Sequence, residues 1–326
     1  MKTFFPMLIA FIVVFTLVPS VILLPIAQKS VSAEQSADNA EAQDPPAYRV
    51  LDVSTGQVIT VPVRDYVIGA VCAEMPATFE EEALKAQAVA SYTYAQRQCL
   101  SSRGDASLCG ADFSNDSARF QAYYTLSQIR TFYGDGFDIY YPKVEAAVDA
   151  VLGTYLSYED QPIIAAFHSM SAGQTESAQT VWGSEVPYLI SVPSESDEAA
   201  PRYLESVGFT AEELCKAFSS YDASIRFDSD DDNWIAVESA TESGTVTACR
   251  IGTLSLDGQS VRAALGLRSA AFTVKQEGEK FIFSTRGFGH GVGMSQYGAN
   301  EMAAAGHSFS DILAHYYPGT ILKSGF

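Results

Sequence analysis

Basic residues are scarce: 20 Lys and Arg stand against 39 Asp and Glu, a formal charge of −19 over 326 residues. Phosphate backbones are held by clustered cations, so this balance argues against a nucleic-acid partner. Acidity of this kind serves solubility and points to no particular substrate. Cysteine is sparse too. Cys72, Cys99, Cys109, Cys215 and Cys249 contain no C-x-x-C pair, and an odd number leaves at least one thiol unpaired if all pairing is internal. The glycines at 287, 289, 291 and 293 do not follow G-x-G-x-x-G, and no G-K-[ST] comes after them, which argues against a nucleotide loop. No G-x-S-x-G elbow supports a serine nucleophile. The acidic run Asp228, Asp230, Asp231 and Asp232 lacks the glycine and closing glutamate of a calcium loop and reads as a solvated turn. There is no internal repeat.

One long apolar run is present. Phe4 to Ala27 is uncharged, long enough to cross a bilayer, and preceded by Lys2 and the amino terminus, which favour a cytoplasmic N-terminus with the remainder outside. The competing reading is a cleaved signal, because Val31-Ser32-Ala33 resembles a cleavage site and Pro6, Pro19 and Pro25 weaken a continuous helix. The membrane anchor is preferred, and both readings export the rest of the chain. An exported location permits disulfides, with Cys99 and Cys109 the most local pair. Residues 1–30 are therefore read as anchor or signal, 31–47 as a flexible Ala/Gln/Ser/Asp/Glu-rich tether, and 48–326 as the working domain.

Within that domain, Tyr48 to Val53 and Gln57 to Val63 read as a hairpin around Ser54-Thr55-Gly56. Asp65 to Ala70 reads as a short helix. Thr78 with Glu81 has the form of a capping box and predicts a helix from Phe79 to about Gln98. In that helix Leu84, Ala88, Ser91 and Ala95 make a small-residue stripe for close packing. Ser101 to Ser117 reads as a loop and Pro142 to Leu152 as a helix. Tyr155 to Tyr158 with Ile163 to Phe167 is a second hairpin. Thr210 and Glu213 open a further helix, Trp234 to Val237 and Val246 to Ile251 alternate as strands, and Val261 to Leu265 is a short helix. Ala271 to Lys275 pairs with Lys280 to Ser284. Two helices, Gln296 to Ala305 and Phe309 to Tyr316, end the chain. Hairpins interspersed with helices, without a βαβ rhythm, predict an α+β fold whose elements form a substrate groove.

Glu74 is the residue with the strongest chemical reading. Val71, Cys72, Ala73, Met75 and Pro76 flank it, and no other charge lies within five residues on either side. Apolar surroundings disfavour an ionised carboxyl and raise its pKa, as a general acid near neutrality requires.

The run Ala73-Glu74-Met75-Pro76-Ala77-Thr78-Phe79, continued by Glu82 to Ala88, resembles the signature of the stage II sporulation protein D family. So do Gly287 to Ala299 with His315-Tyr316-Tyr317-Pro318-Gly319-Thr320, and Val181-Trp182-Gly183 with Pro187-Tyr188-Leu189. The resemblance implies a lytic transglycosylase. Such an enzyme cuts peptidoglycan between N-acetylmuramic acid and N-acetylglucosamine, on strands stripped of stem peptides by a partner amidase, in the engulfment step of sporulation alongside a membrane scaffold. It implies Glu74 as the catalytic acid. Tyr188 stands where the family carries an active-site tyrosine, and Ser171 lies in a segment that lines the family's cleft; a core tyrosine and a Ser/Gly turn are the alternatives. His290, Gln296 and Tyr297 are read as sugar-binding residues on the glycine-rich wall, against the alternative of a tight strand-to-helix turn. No second carboxylate is required, because the muramyl C6 hydroxyl is the nucleophile.

No cofactor is expected, and no metal, because one soft ligand with no nearby histidine cannot fill a zinc tetrahedron. Some family members carry a cysteine and then a His-Cys pair before a Gln-Ala-Tyr segment, resembling a zinc site. This chain keeps Cys109 and Gln121-Ala122-Tyr123 but has Arg119-Phe120 between them. Two other departures are Tyr92, where the family has Arg, and Ile190, where it has Lys. Relatives of this domain act as amidase enhancers, so a non-enzymatic glycan-binding scaffold is the alternative function.

Overall fold

The first hairpin is built from β1 (Ala47–Asp52) and β2 (Gln57–Pro62), antiparallel, with Tyr48 opposite Val61 and Val50 opposite Ile59. A computed structural model describes residues 46–221 and 234–325. The anchor, almost all of the tether and Asp228 to Asp232 lie outside the described residues. From β2 the chain runs directly into α1 (Val63–Glu74), longer at both ends than the short helix expected over 65–70. Pro76 sets its end: the residue before a proline is pushed out of the helical region, and Met75 is extended at φ −126°, ψ 137°. Glu74 is thereby left as the last helical residue.

The long central helix α2 spans Glu81–Ser101. The Thr78 capping box does not form. Thr78 lies in a turn, and the Glu80 N–H at the helix start donates instead to Asn300 Oδ1 (2.8 Å), from the far end of the sequence. The stripe behaves as expected: Leu84, Ala88, Ser91 and Ala95 are all buried, and α2 packs against α1 and five later elements. A helix buried on nearly every side is the core element of its body.

The stretch expected as a loop contains β3 (Phe113–Ser114), which joins β1 in parallel. Next comes α3 (Leu126–Tyr133), opened by a Thr125/Gln128 capping box, and α4 (Phe137–Val151), which starts before Pro142 and buries Val144, Ala147, Val148 and Val151. Then come β4 (Thr154–Tyr158), β5 (Gln161–Pro162), β6 (Phe167–His168) and α5 (Ala178–Trp182). The second hairpin is shorter than expected, its return arm ending at Pro162.

A second lobe is inserted here: β7 (Leu204–Thr210), α6 (Ala211–Phe218), β8 (Ile235–Ala240), β9 (Val246–Ile251), β10 (Leu254–Leu256), α7 (Gly258–Leu265), β11 (Phe272–Glu277) and β12 (Lys280–Arg286). Its antiparallel sheets run β11-β12-β7 and β10-β9-β8. Leu214, Phe218, Ile251, Val261 and Phe283 belong to a hydrophobic core separate from that around α2. The two ends of the insertion meet, Gly287 N–H donating to Tyr203 O (2.9 Å). In α6 the Thr210/Glu213 box is complete in both directions. Thr210→Ala is expected to cost about 1 kcal/mol and to speed amide exchange in α6 while leaving α2 unchanged; unaltered α6 exchange would refute a stabilising box.

The chain closes the first body with β13 (Met294–Ser295), parallel to β6, then α8 (Gln296–Ala304), α9 (Phe309–Tyr316) and β14 (Ile321–Ser324), antiparallel to β4. The fold is α+β. Among the described residues no helix is long and apolar enough to cross a membrane. All five cysteines are free thiols, Cys99 and Cys109 included.

Candidate active site

Gly69 decides how the acid is held. A Cβ there would sit 2.3 Å from Tyr124 O, so only glycine lets the 122–124 segment lie along α1. That approach brings the Ala122 N–H onto Glu74 Oε1 at 2.9 Å, while the Glu74 carbonyl accepts from Gln296 Nε2 (3.0 Å). Glu74 is 6% exposed. Burial pushes its carboxyl up to about 7, against a smaller pull downward from the Ala122 N–H. The C-terminal end of α1 adds negative potential that also disfavours ionisation.

Two hollows of about 240 Å³ and 150 Å³ meet at Glu74, sharing Ser117, Phe167 and His290. Tyr123, Tyr124, Phe132 and Phe288 give the larger one aromatic faces, apt for stacking on a sugar ring. The smaller takes Tyr94 and Trp182 from the first body, with Gln259 and Arg262 from α7 of the inserted lobe. The glycine-rich run is a wall of this groove: Gly289 (φ +117°) lies so close to β6 that a Cβ would be 2.7 Å from His168 Cβ.

The structure divides the expected sugar-binding residues. His290 lines both hollows, with Nδ1 accepting from Val292 N–H (3.0 Å) and the ring also bonded to the Phe167 backbone. Burial, then the neighbouring His168 and Arg262, hold its pKa well below the ordinary value, so the ring is neutral. Gln296 lines the larger hollow, but its amide nitrogen is committed to the Glu74 carbonyl and to Gln87 Oε1 (3.2 Å), which makes it a support for the acid. Ser171, Tyr188 and Tyr297 line neither hollow. Ser171 is buried, donating its N–H to Asp197 Oδ2 (2.7 Å) and accepting at Oγ from Gly173 N–H. Tyr188 is a core tyrosine whose hydroxyl accepts the Ile164 N–H (2.9 Å), and Tyr297 packs edge-on against Phe79. Ser171 and Tyr188 are buried with their hydrogen bonds made inside the protein, and Tyr297 is half-buried outside both hollows. The site contains residues that no local signal marked, among them Tyr94, Tyr124 and His168.

The two family departures also lie outside the hollows. Tyr92 donates to Gly325 O (3.0 Å), and Ile190 is exposed. At the two positions where a zinc site would need His-Cys, Arg119 pairs with Asp105 and Phe120 packs into the core, and neither side chain can ligate zinc.

The family model described as Stage II sporulation protein matches residues 52–158, the segment that carries Glu74 and α2. Over nearly the whole chain, Stage II sporulation protein D of Bacillus subtilis (strain 168) is 36% identical across 322 residues, covering 93% of this chain and 91% of that one. The chain belongs to the stage II sporulation protein D family. The protein of that name from Bacillus amyloliquefaciens is 35% identical, covering 94% and 92%. An Amidase enhancer of Bacillus subtilis is 30% identical over 304 residues, covering 78% of this chain but 40% of its own length.

In this stage II sporulation protein D family member, Glu74 is the only carboxylate among the described residues lining the two hollows. With Oε1 accepting from Ala122, Oε2 is the oxygen that carries the proton. The arrangement suits transfer of one proton to a ligand oxygen held between aromatic walls, with no second acid to activate water.

Proposed function

We propose that the protein is a lytic transglycosylase acting on peptide-stripped peptidoglycan strands between N-acetylmuramic acid and N-acetylglucosamine. The observation that carries this reading is a lone buried carboxyl, pushed up to about 7, where two sugar-sized hollows meet. Glu74 gives its Oε2 proton to the glycosidic oxygen, the bond to the muramyl anomeric carbon breaks, and positive charge develops on that sugar. The Glu74 carboxylate then takes the proton of the muramyl C6 hydroxyl, whose oxygen bonds to the anomeric carbon. An anhydro end results, and Glu74 is protonated again. The names of the relatives support a place in sporulation. The apolar N-terminal run supports attachment to the membrane with this domain outside the cytoplasm, beside an amidase and a membrane scaffold of engulfment.

The likeness to the Amidase enhancer favours a second reading, a glycan-binding scaffold without turnover. Digestion of peptide-stripped strands, followed by mass spectrometry of the ends, separates the two. Anhydro ends are expected from the enzyme, intact strands with retained binding from the scaffold, and plain reducing ends would mean hydrolysis. The pH profile carries its own sign. Glu74 must hold its proton to act, so turnover is expected to be full below its pKa and to fall as pH rises through about 7. A profile flat across neutrality would count against Glu74 as the acid.

A further inference from the structure

The larger hollow contains a histidine that the acid step does not use. His168, at the end of β6, is 4% exposed and lines this hollow together with Glu74 and His290. Its place is fixed from several sides. Its backbone lies in the parallel pairing with Ser295, Gly289 packs onto its Cβ, and Nδ1 sits 3.2 Å from Val292 O. A carbonyl oxygen only accepts, so Nδ1 carries the hydrogen and Nε2 is left as an acceptor. Burial pushes the imidazole down to about 4, with the Arg262 charge acting the same way, so the ring stays neutral and Nε2 keeps its lone pair at neutral pH.

That nitrogen is buried and has no hydrogen-bond partner within the protein. Buried polar atoms in native folds are paired with few exceptions, and each exception calls for an explanation. The ring is held too firmly to turn Nε2 toward another group, and the hollow it borders is walled by aromatic faces and by the candidate acid. We propose that His168 Nε2 accepts a hydrogen bond from a hydroxyl of the sugar seated in this hollow, making His168 a further substrate-binding residue beside Glu74. The proposal rests on the glycan-cleaving reading of the site. It assigns His168 a part in holding the sugar and none in moving the proton.

The test uses peptide-stripped glycan strands as the probe and Glu74→Gln as an uncleaving background. His168→Asn keeps an N–H at the Nδ1 position for Val292 O and removes the acceptor. His168→Gln loses that N–H but reaches an oxygen to the Nε2 position. Strand binding is expected to weaken about tenfold in His168→Asn, the loss of one hydrogen bond to ligand, and to recover in large part in His168→Gln. In an otherwise wild-type chain the change is expected in KM, with kcat little altered. Nitrogen NMR of labelled histidine adds a readout that a structural role would not move: the His168 Nε2 resonance shifts on adding strands while Nδ1 stays in place. Wild-type affinity in His168→Asn, or an Nε2 resonance unmoved by bound strands, overturns the assignment while leaving cleavage by Glu74 standing. Absence of any strand binding or cleavage by the unsubstituted chain overturns both.

Discussion

Glu74→Gln is expected to slow the appearance of anhydro ends by about a thousandfold or more while making the fold more stable at alkaline pH. General acid catalysis by one positioned group contributes roughly 10²–10⁴ in rate. In the proposed reaction the same carboxyl also serves as the base that closes the ring, so its removal would affect both halves. Glutamine keeps the shape and an oxygen for the Ala122 N–H, so the loss would be chemical rather than structural. The stability effect has the opposite sign. With the folded carboxyl at about 7 instead of 4.5, the native state binds more protons than the unfolded chain between those values. Stability therefore falls as pH rises through that window. The whole difference is on the order of 3 kcal/mol, and the amide carries none of it. Thermal midpoints of variant and wild type should nearly coincide near pH 4, with the variant the higher near pH 8. A variant that still makes anhydro ends at a wild-type rate, or one whose midpoint never exceeds wild type, would remove Glu74 from its assigned role.

Part of the shelter of Glu74 was legible in the sequence, since the apolar residues on either side are its covalent neighbours, while Ala122 and Gln296 reach it from far along the chain. Pro76, which ends α1 and so fixes where the carboxyl sits, is local too. The capping boxes show where local reading stops. Thr210/Glu213 forms as its spacing predicts, whereas Thr78/Glu81 does not: Thr78 lies in a turn, the helix starts after Glu80, and Asn300 takes the Glu80 N–H across the fold. The groove is less legible for the same reason. Phe167 and His168 reach it from a strand paired in parallel with Met294 and Ser295, and its smaller hollow borrows Arg262 from the inserted lobe. His168, Trp182 and Tyr94 acquire a role only when those segments meet. Ser171 and Tyr188 are singled out by resemblance alone, and the fold keeps both outside the hollows, where their hydrogen bonds are made within the protein. The two cores behave alike, since nothing in the composition of 204–286 separates its apolar residues from those around α2.

Asp197→Ala is expected to be the most destabilising single change near the site, by about 3 kcal/mol, through unmade hydrogen bonds rather than lost apolar contact. Asp197 is fully buried; Oδ2 accepts the Ser171 N–H at 2.7 Å and Oδ1 accepts the Ser295 hydroxyl at 2.8 Å. Burial raises its pKa, with those hydrogen bonds pulling the other way. Alanine would leave a buried N–H without its acceptor and Ser295 without its carboxylate partner, and each buried orphan costs about 1–3 kcal/mol. Asparagine separates charge from hydrogen bonding: its oxygen keeps the Ser171 N–H and its amide can donate to Ser295 Oγ, so it should cost less than half as much. Ser295 also caps α8 by accepting from Gly298 N–H, and the next residue, Gln296, holds the Glu74 carbonyl. Loosening Asp197 should therefore reach the acid through α8. Denaturant unfolding of the two variants tests the hydrogen-bond account. An alanine variant within about 1 kcal/mol of wild type, or an asparagine variant no better than alanine, would mean that the β6–α8 junction is held by packing alone, and the support of Glu74 would then have to be traced to the contacts of α2 instead.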